Sequence, residues 1–267
     1  MSDPSTVDPW QDLRAYTRAR IALGRAGNSQ PTAALLAFGV AHAQARDAVH
    51  QSLDVAAMRG DCDALGLPVL HVRSAADGRE SYLRRPDLGR RLHAESRGHL
   101  AAACRARVAD HHSAEPADVV FVIADGLSAI AVQRHAVPLL VAVRKLLPDW
   151  AIGPVVIAEQ SRVALGDEIG AALGARQVVM LIGERPGLSS PDSLGIYLTY
   201  APREGRTDAE RNCISNVRPE GLPYAQAAAR LAFLLRGART LGRSGVDLKD
   251  DSDALLPAND GDALPAP

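Results

Sequence analysis

Side chains able to do chemistry stand in four places along this chain. They are Asp125, Glu184, Cys213 and the neighbouring pair His111 and His112. Asp125 closes an apolar run as Ala124-Asp125-Gly126, so its carboxylate can accept hydrogen bonds from a ligand's amides or cap the helix that follows. Glu184, between Gly183 and Arg185, suits a general base, an amide acceptor or a surface ion pair with Arg185. With no partner carboxylate in view, acceptor is the better role than base. Cys213 needs a nearby base and an electropositive setting to be a nucleophile. Its other readings are a thiol packed against a bulky ligand, or a small apolar residue entering a strand. His111 and His112, with Asp110, invite a metal reading. Adjacent loop residues rarely point together and no second His cluster exists, so they read as a solvated loop, with neither a metal site nor a catalytic residue assigned.

These residues need elements to position them. Apolar β-branched runs at Val119–Ile123, Val155–Ile157, Val178–Ile182 and Leu194–Thr199 predict strands covered on both faces. Helical patterns separate or follow them at Leu127–Leu147, Arg162–Leu173 and Tyr224–Arg239. Alternating strand and helix predicts a parallel sheet with right-handed crossovers. Three stretches, 121–140, 183–200 and 211–228, pass from an apolar run into Gly, Asp, Ser, Arg or Asn. In open α/β sheets such loops gather at the carboxyl ends of strands, where ligands bind. The earlier part of the chain predicts helices over Asp12–Gly24, Thr32–Leu53 (with Ser29 or Thr32 as N-cap) and Pro86–Ala109, with Leu67–Arg73 a short strand or connector. The expected class is α/β: an N-terminal helical domain over 1–110, a Rossmann-like, mostly parallel sheet domain over 111–241, and a disordered acidic tail over 242–267.

Composition narrows the functions. A chain of 267 residues that is 47% hydrophobic can bury a substantial core. Net charge is −1, which predicts no polyanionic partner. All but Lys145 and Lys249 of the 30 basic residues are arginines, a surface of fork-shaped donors for carboxylate and phosphate. Arg79, Arg84, Arg85, Arg90, Arg91 and Arg97 are interleaved with Asp77, Glu80, Asp87 and Glu95, without a stacking series. They read as a solvated or subunit-contacting face rather than a nucleic-acid site. Cys62, Cys104 and Cys213 form no CxxC pair, so neither zinc nor a disulfide framework is expected. No signal-peptide pattern opens the sequence and no apolar run is long enough to span a bilayer, which predicts a cytoplasmic protein without membrane contact. GxGxxG, GxxxxGK[ST], HExxH and GxSxG are all missing.

Several long blocks then carry a resemblance. TRARIALGRAG (17–27), HVRSAADGRESYLRRPDLGRRL (71–92), FVIADGLSAIAVQRHAVPLL (121–140), RVALGDEIG (162–170), GERPGLSSPDSLGIYLTY (183–200) and RNCISNVRPEGLPY (211–224) resemble the small subunit of ethanolamine ammonia-lyase. The resemblance implies an adenosylcobalamin-dependent radical lyase of ethanolamine catabolism, which converts ethanolamine to acetaldehyde and ammonia. It implies a TIM-barrel large subunit that holds the substrate, a cofactor lying between subunits, and a higher hetero-oligomer of large–small pairs. Some family members work inside bacterial microcompartments, so cytoplasm and microcompartment both stay open. The family's cobalamin contacts fall on Val163, Glu184 and Cys213 of this sequence. All three lie just past predicted strands, which points to backbone groups and shape rather than a catalytic set. In this family the cofactor keeps its own benzimidazole. That agrees with the lack of a D-x-H-x-x-G motif, which Asp110–Glu115 approaches but breaks with Glu115 in place of Gly. The alternative is a stand-alone nucleotide-dependent α/β enzyme such as a dehydrogenase or methyltransferase, which leaves the missing glycine fingerprint unexplained.

Overall fold

The computed structural model of the chain describes residues 5–6, 8–109 and 116–252. Asp110, His111, His112 and Glu115 lie outside the described residues, as does the expected acidic tail beyond Ser252. Two short strands, β1 (Ser5–Thr6) and β2 (Arg25–Ala26), pair antiparallel near the start. The main sheet contains β3 (Val69–Arg73), β4 (Val120–Ala124), β5 (Val155–Glu159), β6 (Gln177–Gly183), β7 (Leu194–Tyr200) and β8 (Arg211–Val217). Their spatial order is β3-β5-β4-β6-β7-β8. The first four run parallel, and β7 and β8 are added antiparallel. The α/β expectation holds, with a mixed, mostly parallel sheet.

The helices are α1 (Thr32–His50), α2 (Val55–Ala64), α3 (Arg79–Arg84), α4 (Ala94–Ala109), α5 (Ala129–Lys145), α6 (Leu165–Ala172) and α7 (Tyr224–Leu241). The step from β4 to β5 goes one way along the sheet and the step from β5 to β6 goes back. With both crossovers right-handed, α5 and α6 must lie on opposite faces. One core follows from α2, α5 and α7 closing over Phe121, Ile123, Ile157, Leu181, Ile196 and Leu198. The other lies under α4 and α6, against Val120, Val122, Val156, Val178, Met180 and Ile182. Both faces of β4 and β6 are thus fully buried, which is why Val120–Ala124 and 178–182 are apolar at every position. Each such side chain contributes about 1.5–3 kcal/mol of burial.

β7 and β8 obey a different pattern. Leu194, Ile196 and Leu198 of β7 and Ile214 of β8 point to the α5/α7 core. On the α6 side, these strands contribute only the half-buried Tyr197 to the second core, while Cys213 and Ser215 stand exposed.

Three expectations change. Asp12–Gly24 is not a helix: it holds one 3-10 turn, Gln11–Ala15, with no buried residue. A helix of that length is marginal without a packed face, and Ala22 and Gly24 have positive φ of 49° and 75°. In place of a helix from Pro86, a short 3-10 turn (Leu88–Arg90) and a bridge between Ser74 and Leu92 precede α4. The N-cap of α1 is Pro31, with neither Ser29 nor Thr32 in that role. Among the described residues, no helix is long and apolar enough to cross a membrane.

Candidate functional site

Glu184 directly follows β6, where the hairpin to β7 begins. Its backbone N–H donates to the Ser193 carbonyl at 2.9 Å, closing the loop 184–193. One carboxylate oxygen, Oε2, accepts from the Ser193 hydroxyl and from the Asn216 backbone N–H at 3.3 Å. Asn216 holds a left-handed φ of 60°, a conformation its short polar side chain tolerates. Glu184 is tied to the sheet edge rather than to Arg185, the alternative partner, among the described residues. Oε1 has no hydrogen-bond partner among the described residues. A Cβ at Gly195 would stand 3.1 Å from Oε1 and 3.3 Å from the Tyr197 ring, so the glycine leaves room for the carboxylate to lie over β7.

Cys213 is not past a strand, as expected, but inside β8, paired across from Tyr197. Its thiol is exposed, with Sγ 3.4 Å from the Ser215 hydroxyl. Burial, and after it the neighbouring Cys213 and Glu184, push the Tyr197 phenol above its usual range. Glu184, Tyr197, Cys213 and Ser215 therefore meet on one side of β7 and β8, in the stretch left exposed beyond Thr199 and Arg211, which Asp167 of α6 covers. The other cysteines take no part: Cys62 is buried, and burial pushes its thiol up to about 11.

Val163 reaches the same side by a longer route. It follows β5 in the loop that enters α6, and packs against the core that Tyr197 also borders. Asp125 fixes that loop. Its two carboxylate oxygens accept from the Gln160 N–H at 2.9 Å and the Ser161 N–H at 3.0 Å. The cap of α5 is instead Ser128, whose side chain accepts from Ala131 N–H. So Asp125 is not the helix cap; with both oxygens taken by backbone N–H groups, it ties β4 to the loop after β5. Burial pushes its carboxyl up to about 6, against the pull of the Ser161 and Gln160 N–H groups and Arg79.

Arg79, expected on a solvated face, belongs to this frame. It donates to the Val49 carbonyl at 2.6 Å and the Gly126 carbonyl at 2.8 Å, and its Nη1 lies 3.6 Å from Asp125. The buried Tyr82 ring lies with Arg79 at 4.8 Å and Arg162 at 4.3 Å, and its hydroxyl donates to the Ser161 carbonyl at 3.1 Å. On the opposite face of the sheet, the loop 184–193 is held by Ser128 donating to the Pro191 carbonyl at 2.8 Å and by Arg134 paired with Asp192 at 2.8 Å.

The structure thus gathers Glu184 and Cys213 on one bare sheet face, with Val163 at its border. Sequence reading missed Tyr197, Gly195, Ser193 and Ser215. The signal for them was the alternation in LGIYLTY and in CIS, which marks strands with one face left open. Chemically, the face offers a thiol, hydroxyls and one unspent carboxylate oxygen on a flat platform. No three His, Cys, Asp or Glu side chains among the described residues gather as metal ligands.

Comparison with known proteins gives a consistent result. Residues 7–249 match the family described as ethanolamine ammonia-lyase light chain (EutC). The chain is 57% identical over 259 residues to the ethanolamine ammonia-lyase small subunit of Azotobacter vinelandii, covering 95% of this chain and 93% of that one. It is 55% identical over 259 residues to the same subunit of Ralstonia nicotianae, with 95% and 93% covered. Against the Bradyrhizobium diazoefficiens subunit it is 53% identical over 269 residues, with 99% and 100% covered.

Proposed function

This chain belongs to the ethanolamine ammonia-lyase light chain family, and from that premise we propose that it holds adenosylcobalamin against a large subunit for the conversion of ethanolamine to acetaldehyde and ammonia. When bound, that cofactor supplies a cobalt–carbon bond whose homolysis starts the radical chemistry. The observation that carries the reading is the exposed stretch of β7 and β8 beyond Arg211, where Cys213 and Ser215 stand open beside Tyr197 and the Glu184 carboxylate.

The residues fit such a group. A corrin is broad, nearly planar and fringed with amides. Oε1 of Glu184 is free to accept from an amide N–H, while Oε2 stays bound to Ser193 and Asn216 and keeps the carboxylate aimed. Tyr197, Cys213 and Ser215 give a shallow floor whose thiol and hydroxyl are accessible. Val163 borders that floor from the α6 side. This chain's work is to grip and to exclude water; it contributes no acid or base to the substrate. In this reading the sheet carries the cofactor face, with β3 of the expected helical region 1–110 built into it, and the expected tail from 242 begins with a segment packed on β8, where Asn212 donates to the Leu248 carbonyl at 2.8 Å. The assembly is a hetero-oligomer of large–small pairs, in free cytoplasm or within a microcompartment.

Equilibrium dialysis of cobalamin against the reconstituted large–small complex tests the reading. Glu184→Ala is expected to weaken cofactor retention about tenfold or more, the scale of one charge-assisted hydrogen bond. The Michaelis constant for ethanolamine, measured with saturating cofactor, stays near that of the unaltered complex. Equal cobalamin affinity in the two complexes would remove Glu184 from the site.

A further inference from the structure

We propose that the first half of α1, with the segment 8–23 beside it, is the surface by which this chain docks into an apolar groove of the large subunit whose rim carries carboxylates. The proposal rests on the reading above that the chain works as a small subunit.

The distribution of exposed apolar side chains is lopsided. Trp10, Leu13, Tyr16, Ile21, Leu35, Leu36, Phe38 and Val40 are all exposed within the first forty residues. Elsewhere among the described residues only Leu146, Leu188, Leu241 and Val246 are, and they are dispersed along the chain. Residues 32–45 (TAALLAFGVAHAQA) contain no Asp, Glu, Lys or Arg. Within α1 only Ala41 and Ala48 are buried. At 100° per residue, Leu35, Leu36, Phe38 and Val40 spread over roughly 200° of the helix circumference. A helix apolar over so wide an arc is a buried helix, yet among the described residues little covers it beyond Arg20 over the Phe38 ring at 5.9 Å.

The size of the patch suits a stable interface. Its eight residues expose roughly 900 Å², against about 800 Å² per partner in an ordinary specific complex. Its position selects the partner. The segment and α1 enclose a hollow of about 600 Å³ that Ser189 also lines, and Arg20 donates to the Leu188 carbonyl at 3.3 Å. Leu188 and Ser189 sit in the loop that opens at Glu184, so a chain seated on α1 reaches the rim of the cofactor face. Its charge selects the groove. Arg14 and Arg18 line the hollow and have no ion-pair partner among the described residues. A second copy of this chain would bring the same arginines, with Asp8 and Asp12 the only carboxylates in residues 8–31.

The test combines Leu36→Glu with Val40→Glu, both at exposed positions, and uses Leu241→Glu with Val246→Glu as the control pair. Calorimetric titration with the cognate large subunit is expected to show about 100-fold or greater loss for the first pair and little change for the second. Leu36→Gln alone follows in the same direction, by about tenfold, without adding charge. Isolated variants keep the thermal midpoint and the sedimentation coefficient of the unaltered chain. Association within about threefold of the unaltered chain would overturn the proposal. So would loss of self-association, or of binding to anionic phospholipid vesicles, with the large–small complex intact. A failure of the unaltered pair to associate at all is a different result: it refutes the small-subunit reading itself, and the docking face with it.

Discussion

On its α6 side the sheet has two halves that solve opposite problems. Over β4, β5 and β6, side chains from α4 and α6 close that surface, and at the carboxyl edge, on the α5 side, the packing reaches the backbone itself. A Cβ at Gly183 would lie 2.0 Å from the Ser128 carbonyl oxygen, and one at Gly126 would lie 2.3 Å from the Gly183 carbonyl oxygen. The Leu127 N–H donates to that Gly183 carbonyl at 2.9 Å. This is the crevice between β4 and β6, where the chain departs in opposite directions and where open α/β sheets commonly admit ligands. Here backbone fills it. Over β7 and β8 the α6 layer reaches only Thr199 and Arg211, which is paired with Asp167 of α6 at 2.6 Å, and beyond them Cys213 and Ser215 face outward. The two halves teach that the antiparallel addition supplies a platform where the parallel part has closed its cleft. The closed half should therefore answer mutation in stability, and the bare half in ligand affinity.

The strongest way to break that division is Gly183→Ala. Its Cβ would meet backbone atoms of Asp125 and Ser128, which cannot swing aside as a side chain can. The cost is expected to be on the order of 4 kcal/mol or more, enough to unfold a marginal domain. Urea denaturation reads it directly. A variant as stable as the parent would mean that the crevice is open in solution and can admit a ligand.

Asp125→Asn probes the same half through pH. The carboxylate accepts two backbone N–H bonds, and an amide can accept only at its single oxygen, so loss of about 1–3 kcal/mol is expected. The direction with pH follows from burial. The folded state holds its proton up to about pH 6, against a reference of 3.8. Between those values the folded state binds more protons than the unfolded one, so this residue's contribution falls as pH rises. Asn lacks that slope. The penalty of the substitution should therefore be largest near pH 4 and shrink by up to about 3 kcal/mol above pH 6. A penalty that grows with pH would show that the pairing with Arg79 outweighs burial.

The same contrast explains what the sequence reveals. Strands buried on both faces are legible as unbroken apolar runs, and Val120–Ala124 and Gln177–Gly183 lie where such runs predict them. Glu184 is legible because a carboxylate beside the last glycine of a run has few structural uses. β8 is harder: RNCISNV is polar at most positions, since one of its faces carries no core. Tyr197 and Gly195 hide inside a run that looks uniformly apolar until its alternation is counted. Asp125 defeats local reading altogether, because its partners, Gln160 and Ser161, are 35 and 36 residues away. The arginines of 79–97 look alike in sequence, yet Arg79 is tied to the Gly126 carbonyl and Asp125 while Arg90 and Arg91 stay in solvent. Only the fold separates them. The start of α1 is the reverse case: its apolar residues Leu35, Leu36, Phe38 and Val40 stand exposed among the described residues.

Gly195→Ala gives the smallest and sharpest effect, because it touches the bare half alone. The new methyl would stand 3.1 Å from Glu184 Oε1, 3.2 Å from Glu184 Cγ and 3.3 Å from the Tyr197 ring. These are side-chain atoms at a partly open surface, so a shift of a few tenths of an ångström accommodates them. Stability should change by less than about 1 kcal/mol. The displaced carboxylate would turn from the floor of β7 and lose its aim, and cobalamin affinity in the large–small complex is expected to fall about tenfold, equivalent to about 1.4 kcal/mol. Paired measurements of the thermal midpoint and of cobalamin binding decide the matter. If the midpoint drops and binding does not, Gly195 serves packing like the glycines of the closed half, and the two halves are not functionally distinct.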